Sequence, residues 1–128
     1  MRQVTLAATQ MACGWDRAAS VAQAQELVRE AAGRGANVVL LQELFETPYF
    51  CADQKPALFE HARPFAGNET IATMAALAGA LGVVIPVSFF EKGESGFFNS
   101  LAMIDATGRV LGLYRKSHIP EGPGYEEK

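Results

Sequence analysis

The chain has 128 residues, 49% of them hydrophobic, enough to bury one ordinary core, so it is expected to form one domain or part of one. A formal charge of −3 and a pI near 5.3, with no basic run, argue against nucleic acid or an anionic membrane as the main partner. No segment approaches the roughly 18 uninterrupted apolar residues of a membrane span, and the apolar stretch at the N-terminus is too short for a signal peptide. Cys13 and Cys51 give neither a metal pattern nor a disulfide framework, and free thiols suit a reducing compartment, so a soluble cytoplasmic protein is expected.

Residues 4–12 alternate loosely and are rich in Val, Thr, Leu and Ala, which predicts a first strand. Residues 18–32 read as a helix, with Val21, Ala24, Leu27, Val28 and Ala31 at helical spacing, Asp16 as N-cap, and Gly33 and Gly35 as the stop. The run 38–42 is too short for a helix and β-branched at its start, hence a buried strand. From Glu43 to Gly67 periodicity fails. Pro48, Pro56 and Pro64 punctuate a long connection with a short helix around 55–62, and its four aromatics, Tyr49, Phe50, Phe59 and Phe65, argue for order and a functional loop.

A second helix is expected at 69–81, closed by Gly82. Residues 83–90 form a third strand, 91–96 a turn, 100–105 a fourth strand, and 109–115 a fifth after a tight turn at 106–108. This is an α/β order, βαβαβ followed by two hairpin-connected strands. Right-handed crossovers make the first three strands parallel, and the two hairpins return the fifth to the same direction. If all five share a sheet, the residues after strands two and five emerge at one rim, where ligand crevices form in open α/β sheets.

Two charged residues stand at those positions. Glu43 follows Leu40-Leu41-Gln42 and precedes Leu44-Phe45; Lys116 follows Leu113-Tyr114-Arg115. A charge beside so much apolar sequence needs a partner or a task. A carboxylate among apolar walls suits a general base near neutrality, whereas Glu46 reads as a surface residue. Arg115 and Lys116 are neighbours on a strand and face opposite ways, so one of them points inward. His61 and His118 lack metal-ligand spacing, so zinc is not expected. Cys13 and Cys51 read as small core or loop residues, and no glycine pattern for phosphate is present.

The tracts Leu41-Gln42-Glu43-Leu44-Phe45-Glu46-Thr47-Pro48-Tyr49-Phe50 and Tyr114-Arg115-Lys116-Ser117-His118-Ile119-Pro120 resemble the glutamate and lysine motifs of the nitrilase superfamily of carbon–nitrogen hydrolases. Ala7-Ala8-Thr9-Gln10-Met11 and Phe98-Asn99-Ser100-Leu101-Ala102 fit the same family, so the resemblance covers the whole chain. It implies an αββα four-layer sandwich with the N-terminal half present over residues 1–128, and a Glu-Lys-Cys triad. By motif, Glu43 is the general base and Lys116 the oxyanion-stabilising cation. The cysteine nucleophile is expected a few tens of residues after the lysine, outside this stretch.

Glu127 is the preferred match for a second active-site glutamate, ahead of Glu121, and Tyr49 and Tyr125 resemble substrate-lining positions. The similarity is greatest to the branch acting on N-carbamoylputrescine, with another aliphatic or carbamoyl amidase as the alternative. Acidic residues Glu121, Glu126 and Glu127 would permit contact with the substrate's amine. The resemblance implies a small-molecule substrate, no metal or organic cofactor and a homo-oligomer. A small α/β ligand-binding or scaffold domain is the non-enzyme alternative. Half a sandwich leaves one sheet face uncovered, so the stretch is expected to be a fragment that folds poorly and is inactive alone.

Overall fold

The computed structural model describes residues 3–53, 55–124 and 127. Strand β1 (Leu6–Ala8) runs parallel to β2 (Val38–Leu40), and β3 (Ile85–Lys92), β4 (Phe97–Ile104) and β5 (Val110–Arg115) form an antiparallel three-stranded sheet in that order. The two groups meet at a parallel bridge, Val38 to Val84, where the Val39 N–H donates to the Val84 carbonyl at 2.9 Å and the Val84 N–H to Asn37 at 2.9 Å. Expected strand directions therefore hold, but a short junction replaces a continuous five-stranded sheet.

The first two strands are shorter than their apolar runs. Beyond Leu40 a side chain takes over from the backbone ladder: Gln42 accepts from the Met11 N–H at 2.5 Å and donates to the Met11 carbonyl at 3.0 Å. β2 thus ends early and frees Gln42-Glu43-Leu44 to turn. Strand β3 is displaced two residues toward the C-terminus of its expected range and β4 starts three residues earlier than expected, so Glu91, read from sequence as a turn residue, lies inside β3 at 2% exposure.

Both helices sit where the periodicity puts them. Asp16 caps α1 (Arg17–Gly33) by accepting from the Ala19 N–H at 3.1 Å. Asn68 caps α2 (Glu69–Leu81) by accepting from Ile71 at 3.0 Å, and Gly82 closes it in the left-handed region at φ 68°. Ala24 and Val28 from α1, and Ile71, Met74 and Ala78 from α2, pack on Val39, Ile85, Val87, Phe89, Ala102 and Ile104. The opposite sheet face carries Leu6, Leu40 and Tyr114, 73%, 48% and 58% exposed. One helical layer and one sheet layer result, half of a four-layer arrangement.

The connection after β2 contains two 3-10 turns, Phe50–Ala52 and Pro56–His61. Glu46, expected at the surface, is instead buried: Thr70 donates its hydroxyl to it, and the Arg17 guanidinium stands at 3.8 Å while also donating to the His61 carbonyl. A carboxylate with partners on both helices ties the loop down, and neither partner is a sequence neighbour.

The β4–β5 turn is equally constrained. Asp105 accepts from the Thr107 and Arg109 N–H groups at 2.8 and 3.1 Å, and Gly108 sits at φ 83° against α2. A Cβ there would approach the Ala75 carbonyl oxygen to 2.5 Å. Gly108→Ala should therefore cost about 2 kcal/mol or more through left-handed strain and the clash. Thermal melting should show a drop of several degrees; an unchanged midpoint would contradict this packing.

Candidate active site

The turn that follows β2 holds a conformation leucine resists. Leu44 adopts φ 53° and is 3% exposed, and its N–H donates to the Ser88 hydroxyl at 2.9 Å. Left-handed backbone at a non-glycine residue costs about 1–2 kcal/mol and persists only where the surroundings fix it. Here the turn follows Glu43 directly and sets its direction.

At the far end of the sheet, strand alternation separates two cations. Arg115 turns toward the helical side, where Nε and Nη2 reach Glu91 at 2.8 and 2.7 Å; Ser100 donates to the same carboxylate at 2.7 Å, and the Phe98 ring lies 3.9 Å from the guanidinium carbon. The Arg115 hydrogen bonds, with help from Ser100, hold the Glu91 carboxyl below its usual range against the opposing effect of burial. Lys116 takes the other face, and its N–H continues the ladder to the Asn99 carbonyl at 2.8 Å.

The Lys116 ammonium meets two carboxylates. It donates to Glu43 Oε1 at 2.9 Å and to both oxygens of Glu127 at 3.1 Å. Tyr49 donates its hydroxyl to Glu127 at 2.7 Å, and the Asn99 amide donates to Glu43 Oε1 at 2.8 Å and to Glu127 Oε2 at 2.9 Å. The Glu127 side chain is 2% exposed and that of Glu43 48%. Glu43 is thus less enclosed by these residues than its apolar neighbours in sequence suggest.

Charge and burial compete here. Burial would lower the lysine, but the bonds to Glu43 and Glu127 more than offset it and hold Lys116 above its ordinary value. Burial would raise Glu127, but Tyr49, Asn99 and Lys116 together hold it below its own. The Tyr49 phenol is raised, first by burial and then by its bond to Glu127. Cys51, 6% exposed beside this cluster, is pushed up to about 11 by burial and then by Glu127 and Glu43.

A cavity of about 490 Å³ opens from the cluster. Lys116, Asn99 and Glu127 stand in its wall with Cys51, and Phe50, Phe59, Phe90, Phe97 and Phe98 supply aromatic surface. A second space, about 270 Å³, lies on the sheet face away from the helices, bounded by Glu43, Ser88, Leu101 and Tyr114 as well as Asn99 and Lys116. A polar seam thus divides an apolar chamber from an open one. The arrangement can take up a proton at a carboxylate and stabilise negative charge at an ammonium.

Of the residues singled out from sequence, Glu43, Tyr49, Lys116 and Glu127 converge; Glu121 is exposed, and Tyr125 lies outside the described residues. His61 stacks on Trp15 with ring centroids 5.1 Å apart. No group of three or more His, Cys, Asp or Glu could hold a metal among the described residues. Nor, among them, is any helix long and apolar enough to cross a membrane. Asn99 was missed as a site residue. The signal available was an amide in mid-strand between Phe98 and Ser100, ahead of an apolar run.

Comparison with known proteins gives this geometry a context. The carbon–nitrogen hydrolase pattern matches residues 5–128. A protein of Solanum tuberosum, an N-carbamoylputrescine amidase, is 58% identical over 99% of this chain and 42% of its own length. A citrullinase of Francisella tularensis is 36% identical over 100% of this chain and 45% of its own. The crystal structure of a carbon–nitrogen hydrolase from Helicobacter pylori G27 superposes with a TM-score of 0.88 at 32% identity, over 97% of this chain and 43% of that one. The chain therefore spans less than half the length of these relatives.

The shifts in the cluster carry a pH signature. Glu127, held low, contributes stability that is present above its unfolded value of about 4.3 and lost as pH falls through the lower folded one. Lys116, held high, contributes stability present below about 10.4 and lost as pH rises through its raised value. Glu127→Gln should therefore be clearly less stable than the parent at pH 7, with the gap narrowing at pH 3. Urea unfolding at the two pH values tests it, and a gap independent of pH would contradict the assignment.

Proposed function

The chain belongs to the carbon–nitrogen hydrolase family, and we propose that it is the N-terminal part of a cytoplasmic, homo-oligomeric amidase that converts N-carbamoylputrescine and water to putrescine, carbon dioxide and ammonia in polyamine biosynthesis. The observation that carries this reading is the convergence of Glu43, Lys116 and Glu127 beside a phenylalanine-lined cavity. The similarity to N-carbamoylputrescine amidases over 99% of the chain supplies the substrate. A carbamoyl head is polar and suits the cluster; a four-carbon tail suits the aromatic wall.

The nucleophile in this reading is a cysteine outside these 128 residues. Cys51 stands near the cluster, but burial and two carboxylates raise its thiol to about 11, the wrong direction for a thiolate. Glu43 takes the proton of the incoming thiol, and the sulfur bonds to the carbamoyl carbon. The carbonyl oxygen becomes an oxyanion, and Lys116 stabilises it. All three ammonium hydrogens are engaged in the resting cluster, so the lysine exchanges one of its 3.1 Å contacts to Glu127 for the new oxygen. This gain exists in the transition state and not in the neutral substrate, which is what lowers the barrier.

Collapse breaks the carbon–nitrogen bond, and the proton held by Glu43 goes to the leaving nitrogen. Water then loses a proton to Glu43 and attacks the acyl carbon; the carbon–sulfur bond breaks, and Glu43 returns that proton to the departing sulfur. The carbamic acid released decays to carbon dioxide and the remaining amine. Glu127, with both oxygens engaged, anchors Lys116 and Tyr49.

In the full-length protein, Lys116→Ala should lower kcat by at least about 10²–10³, the usual effect of losing an oxyanion donor. Its substrate profile should favour N-carbamoylputrescine over citrulline and simple aliphatic amides. Equal turnover of all three would leave the family reading intact and replace the substrate with another aliphatic or carbamoyl amide. An unimpaired Lys116→Ala enzyme would overturn the mechanism itself.

A further inference from the structure

The two carboxylates at Lys116 are not equivalent. Glu127 has both oxygens engaged: Oε1 by Tyr49 and Lys116, Oε2 by Asn99 and Lys116. Glu43 has one oxygen engaged, Oε1, by Lys116 and Asn99, while Oε2 has no hydrogen bond among the described residues. Asn99 makes the difference. Both of its partners are acceptors, so its nitrogen faces them and both amide hydrogens are consumed. Its carbonyl also receives the Lys116 N–H at 2.8 Å, so one residue fixes the backbone of the cation and the side chains of both anions.

We propose that Asn99 is a positioning residue for the amidase reaction, a neutral double donor that lets two carboxylates share one lysine and leaves Oε2 of Glu43 as the single base oxygen. The inference deepens the reading of the site as an amidase and rests on it. Two carboxylates this close to one ammonium carry a net negative charge, and a further donor without charge offsets it, helping to hold the buried Glu127 ionised. A lysine in that place would compete for the carboxylates, and an aspartate would add a third negative charge. An amide does neither. Asn99 and Lys116 also border both cavities, Glu43 borders the open one and Glu127 the aromatic one, so the amide stands on the seam between proton transfer and substrate binding.

The groups facing the amide are Glu43 and Glu127 directly; Lys116, Tyr49 and Cys51 complete the titratable set around them. The primary test needs no substrate: carboxyl NMR titration of Glu127 in the full-length protein with Asn99 intact, Asn99→Ser and Asn99→Asp. The Glu127 midpoint should rise modestly in Asn99→Ser, which keeps one donor, and by about one pH unit or more in Asn99→Asp. A midpoint unchanged in both variants would overturn the proposal. A merely structural role would lower the melting temperature without moving the titration.

Kinetics provide the second readout. Asn99→Ser should lower kcat about 10- to 100-fold with KM within a few-fold, the expected effect of losing a hydrogen bond to a charged group. The acid limb of its pH profile should move upward. These measurements use whichever amide the parent enzyme hydrolyses, so failure of the putrescine assignment is read separately from failure of the Asn99 inference. An unchanged kcat together with an unmoved acid limb would contradict the positioning role.

Discussion

The rest of the site depends on one ammonium shared by two carboxylates. Lys116 arrives at the end of β5, Glu43 at the end of β2, and Glu127 from the segment beyond β5, so chain segments far apart in sequence close on a single charge. Leaving a buried carboxylate unpaired typically costs about 3–5 kcal/mol. With the Glu127 side chain 2% exposed, that penalty ties the local fold to the lysine. Stability and the proposed function thus make the same demand on this position.

The scaffold meets that demand by fixing each approach separately. At β2, the Gln42 side chain replaces the backbone ladder, and the left-handed Leu44, held by Ser88, aims Glu43. At β5, the buried Glu91 carboxylate anchors Arg115, the residue before Lys116, on the opposite sheet face, and the Asp105 turn presses the hairpin onto α2 through Gly108. Between them, Glu46 fastens the long loop to both helices, so Tyr49 is carried to the cluster and Phe50 to the cavity on a constrained segment. Strain and buried charge are thus concentrated around the cluster.

Sequence displayed much of this architecture because its signals were local. Helical periodicity, the Asp16 cap and the Gly82 stop mark α1 and α2, and the conflict between charge and apolar surroundings marks Glu43 and Lys116. Strand order alone puts both on one rim. Glu127 was legible only through family resemblance, since the charged run around it looks like a solvated terminus. Glu46 and Glu91 were misread as surface and turn because their cations, Arg17 and Arg115, come from other elements. Asn99 gave only a weak signal, an amide inside the family tract Phe98-Asn99-Ser100-Leu101-Ala102, because an uncharged amide in a strand breaks no rule until two carboxylates are seen against it.

In the proposed reaction a carbamoyl group is processed at Lys116, between the carboxylates and the phenylalanine wall. A crystal structure of the full-length protein, with its nucleophile removed and N-carbamoylputrescine bound, tests it most directly. The carbamoyl oxygen should lie about 3 Å from Lys116 Nζ, with the tail against Phe50, Phe59 and Phe90. A ligand whose carbamoyl group lies out of hydrogen-bond reach of Lys116, with the Glu43–Lys116–Glu127 cluster undisturbed, would contradict it.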